Sequence, residues 1–208
     1  MRALPLVLVF AAACGSEPTP PSTDPLIPVA IGNHWKYRVT SATGVVSDKI
    51  QTITATVTGG YRFETTRGTT GTKETLSVQR IENGQLIRLE EEGYKNDVLQ
   101  ERYRYEPSSL RADSNHLTSG ETYETTHTKI ALDARDNVLV RTTVQHRFTV
   151  VSGAELVEVP AGRFTAVHLK REDLADHDIK EFWYVQGLGK VKETGGQTEE
   201  LVEYQLAP

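Results

Sequence analysis

The sequence predicts an all-β, mainly antiparallel domain: a strongly curved sheet or half-barrel of about eleven or twelve strands, with little helix. Three observations predict it. Residues 52–58, Thr-Ile-Thr-Ala-Thr-Val-Thr, place Ile53, Ala55 and Val57 on one face and four threonines on the other, and residues 138–151 repeat the pattern at greater length. That period of two is the signature of a half-buried antiparallel strand. Glycines at 59–60, 71, 84, 93, 153 and 162 punctuate the chain at hairpin intervals. A long amphipathic helix finds no place, which excludes parallel sheets and nucleotide-binding α/β folds.

Before the domain comes an address. Met1-Arg2 is a short basic start, Leu4–Phe10 an apolar run, and Ala11-Ala12-Ala13 leads into Cys14, the only cysteine of the 208-residue chain. This is the order of a bacterial signal peptide, and the run is too short to span a bilayer. The placement of Cys14 resembles the lipobox of bacterial lipoproteins, with Ala11 where Leu is usual. The resemblance implies cleavage after residue 13, lipidation of Cys14, and a membrane contact through that lipid. Gly15, rather than Asp, then implies the outer membrane of a two-membrane bacterium. The same stretch also reads as an ordinary secretory signal, in which Cys14 carries no lipid.

Residues 14–25 follow as a Pro-rich tether, with four prolines and no large apolar side chain. Extended at about 3.1 Å per residue it reaches roughly 30 Å, as a spacer or as a loose tail. The β-rich domain is assigned to residues 26–208. Its strands are expected at 34–41, 45–58, 61–67, 73–81, 85–91, 97–105, 121–130, 138–151, 155–159, 164–171, 179–186 and 199–206, with a short one near 190. Residues 107–115 offer at most one turn of helix. Segments 32–66 and 120–164 begin alike, which suggests two pseudo-repeated lobes meeting near 106–118.

Three motifs punctuate the domain: Leu26-Ile27-Pro28-Val29-Ala30-Ile31-Gly32-Asn33-His34-Trp35-Lys36-Tyr37, Val159-Pro160-Ala161-Gly162-Arg163-Phe164, and Phe182-Trp183-Tyr184-Val185-Gln186-Gly187-Leu188-Gly189-Lys190-Val191. In this order they resemble an uncharacterised family of exported bacterial lipoproteins. The resemblance implies a curved antiparallel sheet, distantly similar to the half-barrel of lipoprotein carriers such as LolA and LolB, and a place in the cell envelope. It implies no reaction and no catalytic residue. Physically, the proline and glycines serve turns.

The formal net charge of −5 offers no basic surface for nucleic acid. His146 falls on the apolar face of 138–151 and, with Phe148 and Trp183, is a candidate for lining a cavity. The cluster Arg171–Asp178 offers Asp173, Asp176 and Asp178 as oxygen ligands for calcium, or simply a solvated hairpin tip. In Glu101–Glu106, arginines alternate with tyrosines, a pattern for cross-strand pairing or for stacking on a glycan. Nucleophile elbows, His-Glu-x-x-His helices and Cys–His pairs are absent from the sequence. The expectation is a non-enzymatic envelope lipoprotein without a cofactor, binding an apolar ligand or an envelope component. Its alternative is a structural or assembly lipoprotein that binds protein partners. An envelope hydrolase has no motif behind it.

Overall fold

The computed structural model describes residues 24–68 and 70–208. The signal peptide, Cys14 and most of the tether lie outside the described residues.

Twelve strands form one closed, antiparallel, up-and-down barrel. They are β1 (His34–Ser41), β2 (Val46–Val57), β3 (Gly60–Arg67), β4 (Lys73–Glu82), β5 (Gln85–Lys95), β6 (Val98–Asp113), β7 (Thr122–Leu132), β8 (Val138–Val159), β9 (Gly162–Asp173), β10 (Ile179–Val185), β11 (Gly189–Thr194) and β12 (Gln197–Gln205). Each strand pairs with the next in sequence, and β12 returns to β1.

The all-β antiparallel class is as the alternation predicts, but the half-barrel is corrected to a closed one. β1 and β12, the first and last strands, pair from His34↔Gln205 to Ser41↔Gln197. Closure removes two rows of unpaired backbone groups and covers the inward side chains Trp35, Tyr37 and Val39 of β1 and Leu201 of β12, all buried.

Two local expectations change as well. The helical turn at 107–115 is instead the end of β6, where Leu110 and Ala112 pair with Ile87 and Leu86 of β5. Both are buried there, so sheet pairing satisfies their backbone and side chains together. Pro107 has no ladder partner on β5, falling between Arg88↔Ser109 and Glu90↔Arg104, a position where proline costs no hydrogen bond. Strands expected at 138–151 and 155–159 merge into β8, with register shifts at Ser152 that absorb Gly153. Of the lobe boundary expected near 106–118, residues 106–113 belong to β6 within the single closed sheet.

Up-and-down order sends alternate turns to opposite ends of the barrel. One end gathers the β2–β3, β4–β5, β6–β7, β8–β9 and β10–β11 connections with both termini of the domain. Leu26, Trp35, Leu188, Val191 and Leu201 are buried in the main core cluster. The main-chain amide of Leu26 donates to Ser114 Oγ (2.9 Å) and Gly187 N to the Pro25 carbonyl (2.9 Å), so the incoming chain caps this closed end. The other five inter-strand hairpins and the β11–β12 turn form the opposite rim.

No helix among the described residues is long and apolar enough to cross a membrane. The outer wall carries ion pairs such as Lys36–Asp48 (3.5 Å), Arg147–Glu124 (3.0 Å) and Arg163–Glu158 (3.1 Å). A wall so charged does not match the apolar band of a barrel that spans lipid.

Candidate functional site

The lumen is built by the inward half of each strand, and much of it is charged. Tyr37 of β1 faces Lys49 of β2 in register, and Lys190 of β11 and Glu199 of β12 join them. Glu199, 2% exposed, accepts hydrogen bonds from Lys49 and from Lys190 (2.7 Å). Lys190 also bonds Glu193, which meets Lys180 at 3.3 Å. Burial disfavours every charge here, yet the opposite charges outweigh it. Glu193 and Glu199 are held below the ordinary carboxylate range by Lys190 and its neighbours, and Lys190 is raised above the ordinary ammonium range by Glu193 and Glu199. Burial also raises the Tyr37 phenol.

A second group lies further along the lumen. Arg88 of β5 pairs with Glu91; burial, with the charges of Arg111 and Arg171, pushes its guanidinium down to about 9. Arg171 of β9 lies 5.5 Å from the Phe182 ring centroid. His127 and His146 sit beside one another, ring centroids 5.7 Å apart. His146 Nε2 is 3.6 Å from Asp173 Oδ2. Burial, followed by Arg171 and His127, pushes His146 down to about 4, so it is neutral at pH 7.

This crowding leaves an interior cavity of about 50 Å³ between the charged groups and Phe63, Leu86, Phe182 and Tyr184. The larger concavity, about 440 Å³, lies on the outer face of β3–β7. Register builds it from two rows: Arg62, Val78, Glu90 and Arg104, then Leu76, Glu92, Arg102 and Leu132. Arg102 pairs with Glu92 (3.2 Å) and with Asp136 (2.7 Å) of the β7–β8 turn, while Arg62 and Glu90 make no ion pair among the described residues. The arginine–tyrosine alternation of 101–106 therefore splits by face. Arg102 and Arg104 point into this groove, whereas Tyr105 stacks edge-on to His127 (5.5 Å) and Tyr103 lies under Lys129 (3.7 Å) on the other side.

The groove meets a rim rich in exposed apolar side chains. Val45, Val46, Val98, Leu139 and Val140 are 56–65% exposed, and all lie at or beside rim hairpins. Sequence reasoning missed this rim, although these residues sit beside turn residues, which was the signal available.

Of the residues singled out from sequence, His146 and Phe148 share the inward face and are buried, as alternation predicts. His146 has partners the sequence did not suggest, because His127 and Asp173 reach it only through the β7–β8 and β8–β9 registers. Trp183 lies on the opposite face from Phe182 and Tyr184. There it stacks on His168 (4.1 Å) and donates from Nε1 to Glu155 Oε1 (3.0 Å). Glu155 Oε2 meets His168 Nδ1 at 2.7 Å. Burial opposes the Glu155 charge, but the hydrogen bonds of Trp183 and His168 hold its carboxyl below its usual value.

Asp173 and Asp176 accept from the main-chain amides of Ala175 (2.9 Å) and Asp178 (3.0 Å), closing the β9–β10 turn. Among the described residues no group of three or more His, Cys, Asp or Glu side chains converges to hold a metal ion. Cys14 lies outside the described residues.

No protein-family model matches the chain, and no curated protein matches it. Two solved structures share its fold. A "putative exported protein with YmcC-like fold" from Bacteroides fragilis superposes with a TM-score of 0.57 at 14% identity, over 88% of this chain and 100% of the other. A "putative lipoprotein" from Parabacteroides distasonis superposes with a TM-score of 0.55 at 13% identity, over 89% of this chain and 100% of the other. At this identity the likeness is one of fold.

Proposed function

We propose that the chain is an exported lipoprotein, anchored through Cys14 in the envelope of a two-membrane bacterium, whose barrel is a non-enzymatic docking module for a protein partner. One observation carries the docking role: the lumen is packed with ion pairs around a cavity of about 50 Å³, while the roomy groove and the apolar rim lie outside. A carrier of apolar molecules needs an apolar cavity of several hundred Å³. Polarity of the barrel supports the same reading. The tether enters at the closed end, so the rim points away from the anchoring membrane. A groove lined by both charge signs beside exposed Val98 and Leu139 suits a protein surface. The exported and lipoprotein descriptions of the two structural neighbours agree with the sequence of residues 1–14.

Photo-crosslinking in the native envelope tests this reading. Probes at Val98 and Leu139 should capture one common protein, and Arg102→Glu in the groove should abolish the capture. A probe at Leu156, equally exposed but on the β8–β9 hairpin near the closed end, should not capture it. Equal capture from Leu156, or none from the rim, would overturn the docking role. Separately, Cys14→Ala should release the protein from the membrane fraction.

A further inference from the structure

The lumen holds more positive charge than its own carboxylates neutralise. Lys49, Lys180, Lys190 and Arg88 meet Glu91, Glu193 and Glu199 in ion pairs, and Asp173 lies against His146. Arg111 and Arg171 complete the set of cations, yet neither side chain makes an ion pair or a hydrogen bond among the described residues. Around the interior cavity, six cations therefore face four carboxylates; nearer the rim, Lys129 lies over Tyr103 and Arg67 pairs with Glu74. In addition, Arg88 Nε is buried without a hydrogen-bond partner. Uncompensated charge in a barrel interior is costly unless something pairs with it.

The space beside these groups is suited to such a partner. The interior cavity is lined by Arg88, Arg111, Lys190, Glu193, Gln51 and Gln79, the carboxylate of Glu193 being engaged by Lys190 and Lys180, and by Phe182, whose ring centroid lies 5.5 Å from the Arg171 guanidinium. Arg111 reaches it because β6 bulges there, Ala112 and Leu110 pairing with consecutive residues Leu86 and Ile87. Its volume of about 50 Å³ accommodates about four atoms of water size. Guanidinium forks favour oxyanions that accept two parallel hydrogen bonds. A doubly charged tetrahedral oxyanion matches the surplus of two cations and the size of the space, whereas a carboxylate would leave one cation unpaired.

We propose that the barrel lumen is a binding site for a phosphate dianion, free or as a compact phosphate monoester, held by Arg88 and Arg111 with Arg171 adding positive charge beside Phe182. The ligand neutralises the excess guanidinium charge and locks β5, β6 and β9 about a common centre. This site is separate from the groove and the rim, so it stands or falls apart from the docking role.

The test is titration of the full chain with inorganic phosphate, and in parallel with glycerol 3-phosphate, in a low-salt buffer without other multivalent anions. Calorimetry and thermal unfolding should both show saturable binding at millimolar ligand or below. Arg111→Gln and Arg171→Gln should each weaken it by about tenfold or more. Without ligand, both variants should melt at or above the wild-type temperature, because each removes an unpaired cation. A purely structural arginine would instead lower it. Bound dianion should also raise the pKa of His146, which Arg171 and Arg111 otherwise depress, and the ring proton signals report this directly. Saturation by phosphate alone assigns a free ion, and saturation by glycerol 3-phosphate assigns a monoester. The proposal is overturned if neither ligand saturates, or if binding survives both substitutions unchanged.

Discussion

The indole nitrogen of Trp35 donates a 2.7 Å hydrogen bond to the carbonyl of Leu188, tying β1 to the β10–β11 turn across 153 residues of sequence. The contact requires Gly189, whose φ is +116° and whose position lets the indole approach: a methyl there would lie 3.1 Å from Trp35 Nε1. Beside it, Tyr37 Oη donates to the Lys190 carbonyl (3.0 Å), and Ala161 N donates to the carbonyl of Leu201 (2.9 Å), the partner of Tyr37 across β12. The three sequence motifs thus meet at the closed end of one barrel.

Removing this bond isolates its worth. Trp35→Phe leaves the buried Leu188 carbonyl without its donor and should cost about 1–3 kcal/mol. Gly189→Ala should cost at least about 1 kcal/mol through its positive φ and the indole clash. Urea unfolding of both variants checks the pair. Because the two act on one contact, the double variant should lose less than the sum.

The ionic cluster gives a second expectation. Glu199→Ala leaves Lys49 and Lys190 facing one another without their shared carboxylate and should destabilise by about 3–5 kcal/mol. Lys49→Met should cost less, since Glu199 keeps Lys190. Equilibrium unfolding at pH 7 ranks the two.

Acid should unfold the barrel through these same carboxylates. Glu193 and Glu199 have folded pKa values below their ordinary 4.5. Their stabilisation is therefore fully present above that value and is lost as pH falls through the lower folded values. Thermal unfolding followed from pH 7 downward should fall steeply below about pH 4.5, and Glu193→Gln should flatten that fall.

His146 adds a slope at higher pH. Its folded pKa of about 4 lies below the ordinary 6.5, so the unfolded chain takes the proton first. Stability associated with the neutral ring is present above pH 6.5 and is lost progressively between 6.5 and 4, to a total of about 3 kcal/mol. Arg171, Arg111 and His127 oppose protonation and Asp173 favours it. His146→Gln should remove this slope, and NMR titration of the ring should locate its pKa.

Much of the barrel could be read from local pattern, because each strand carries its own alternation and each hairpin its own turn residues. β1 and β3 lie within one residue of expectation for that reason. Closure could not be read so directly: it depends on Trp35 and Leu201 sharing a wall, a meeting of residues far apart in the chain. The ending of β6 was hidden by Pro107 and the two serines, which read as a helix start when the β5 partner is unknown. Trp183 stands in an unbroken apolar run, Phe-Trp-Tyr-Val, which names no inward face. The lumenal arginines were invisible for a related reason, since Arg88, Arg111 and Arg171 converge only when β5, β6 and β9 share one interior.

The measurement that tests the account most directly is mass spectrometry of the full-length protein extracted from its own membrane, first native and then denatured. The account predicts a covalent lipid on Cys14 and no stoichiometric apolar molecule released on denaturation. An unmodified Cys14, or an apolar ligand released one for one, would contradict an anchored docking barrel with a filled lumen.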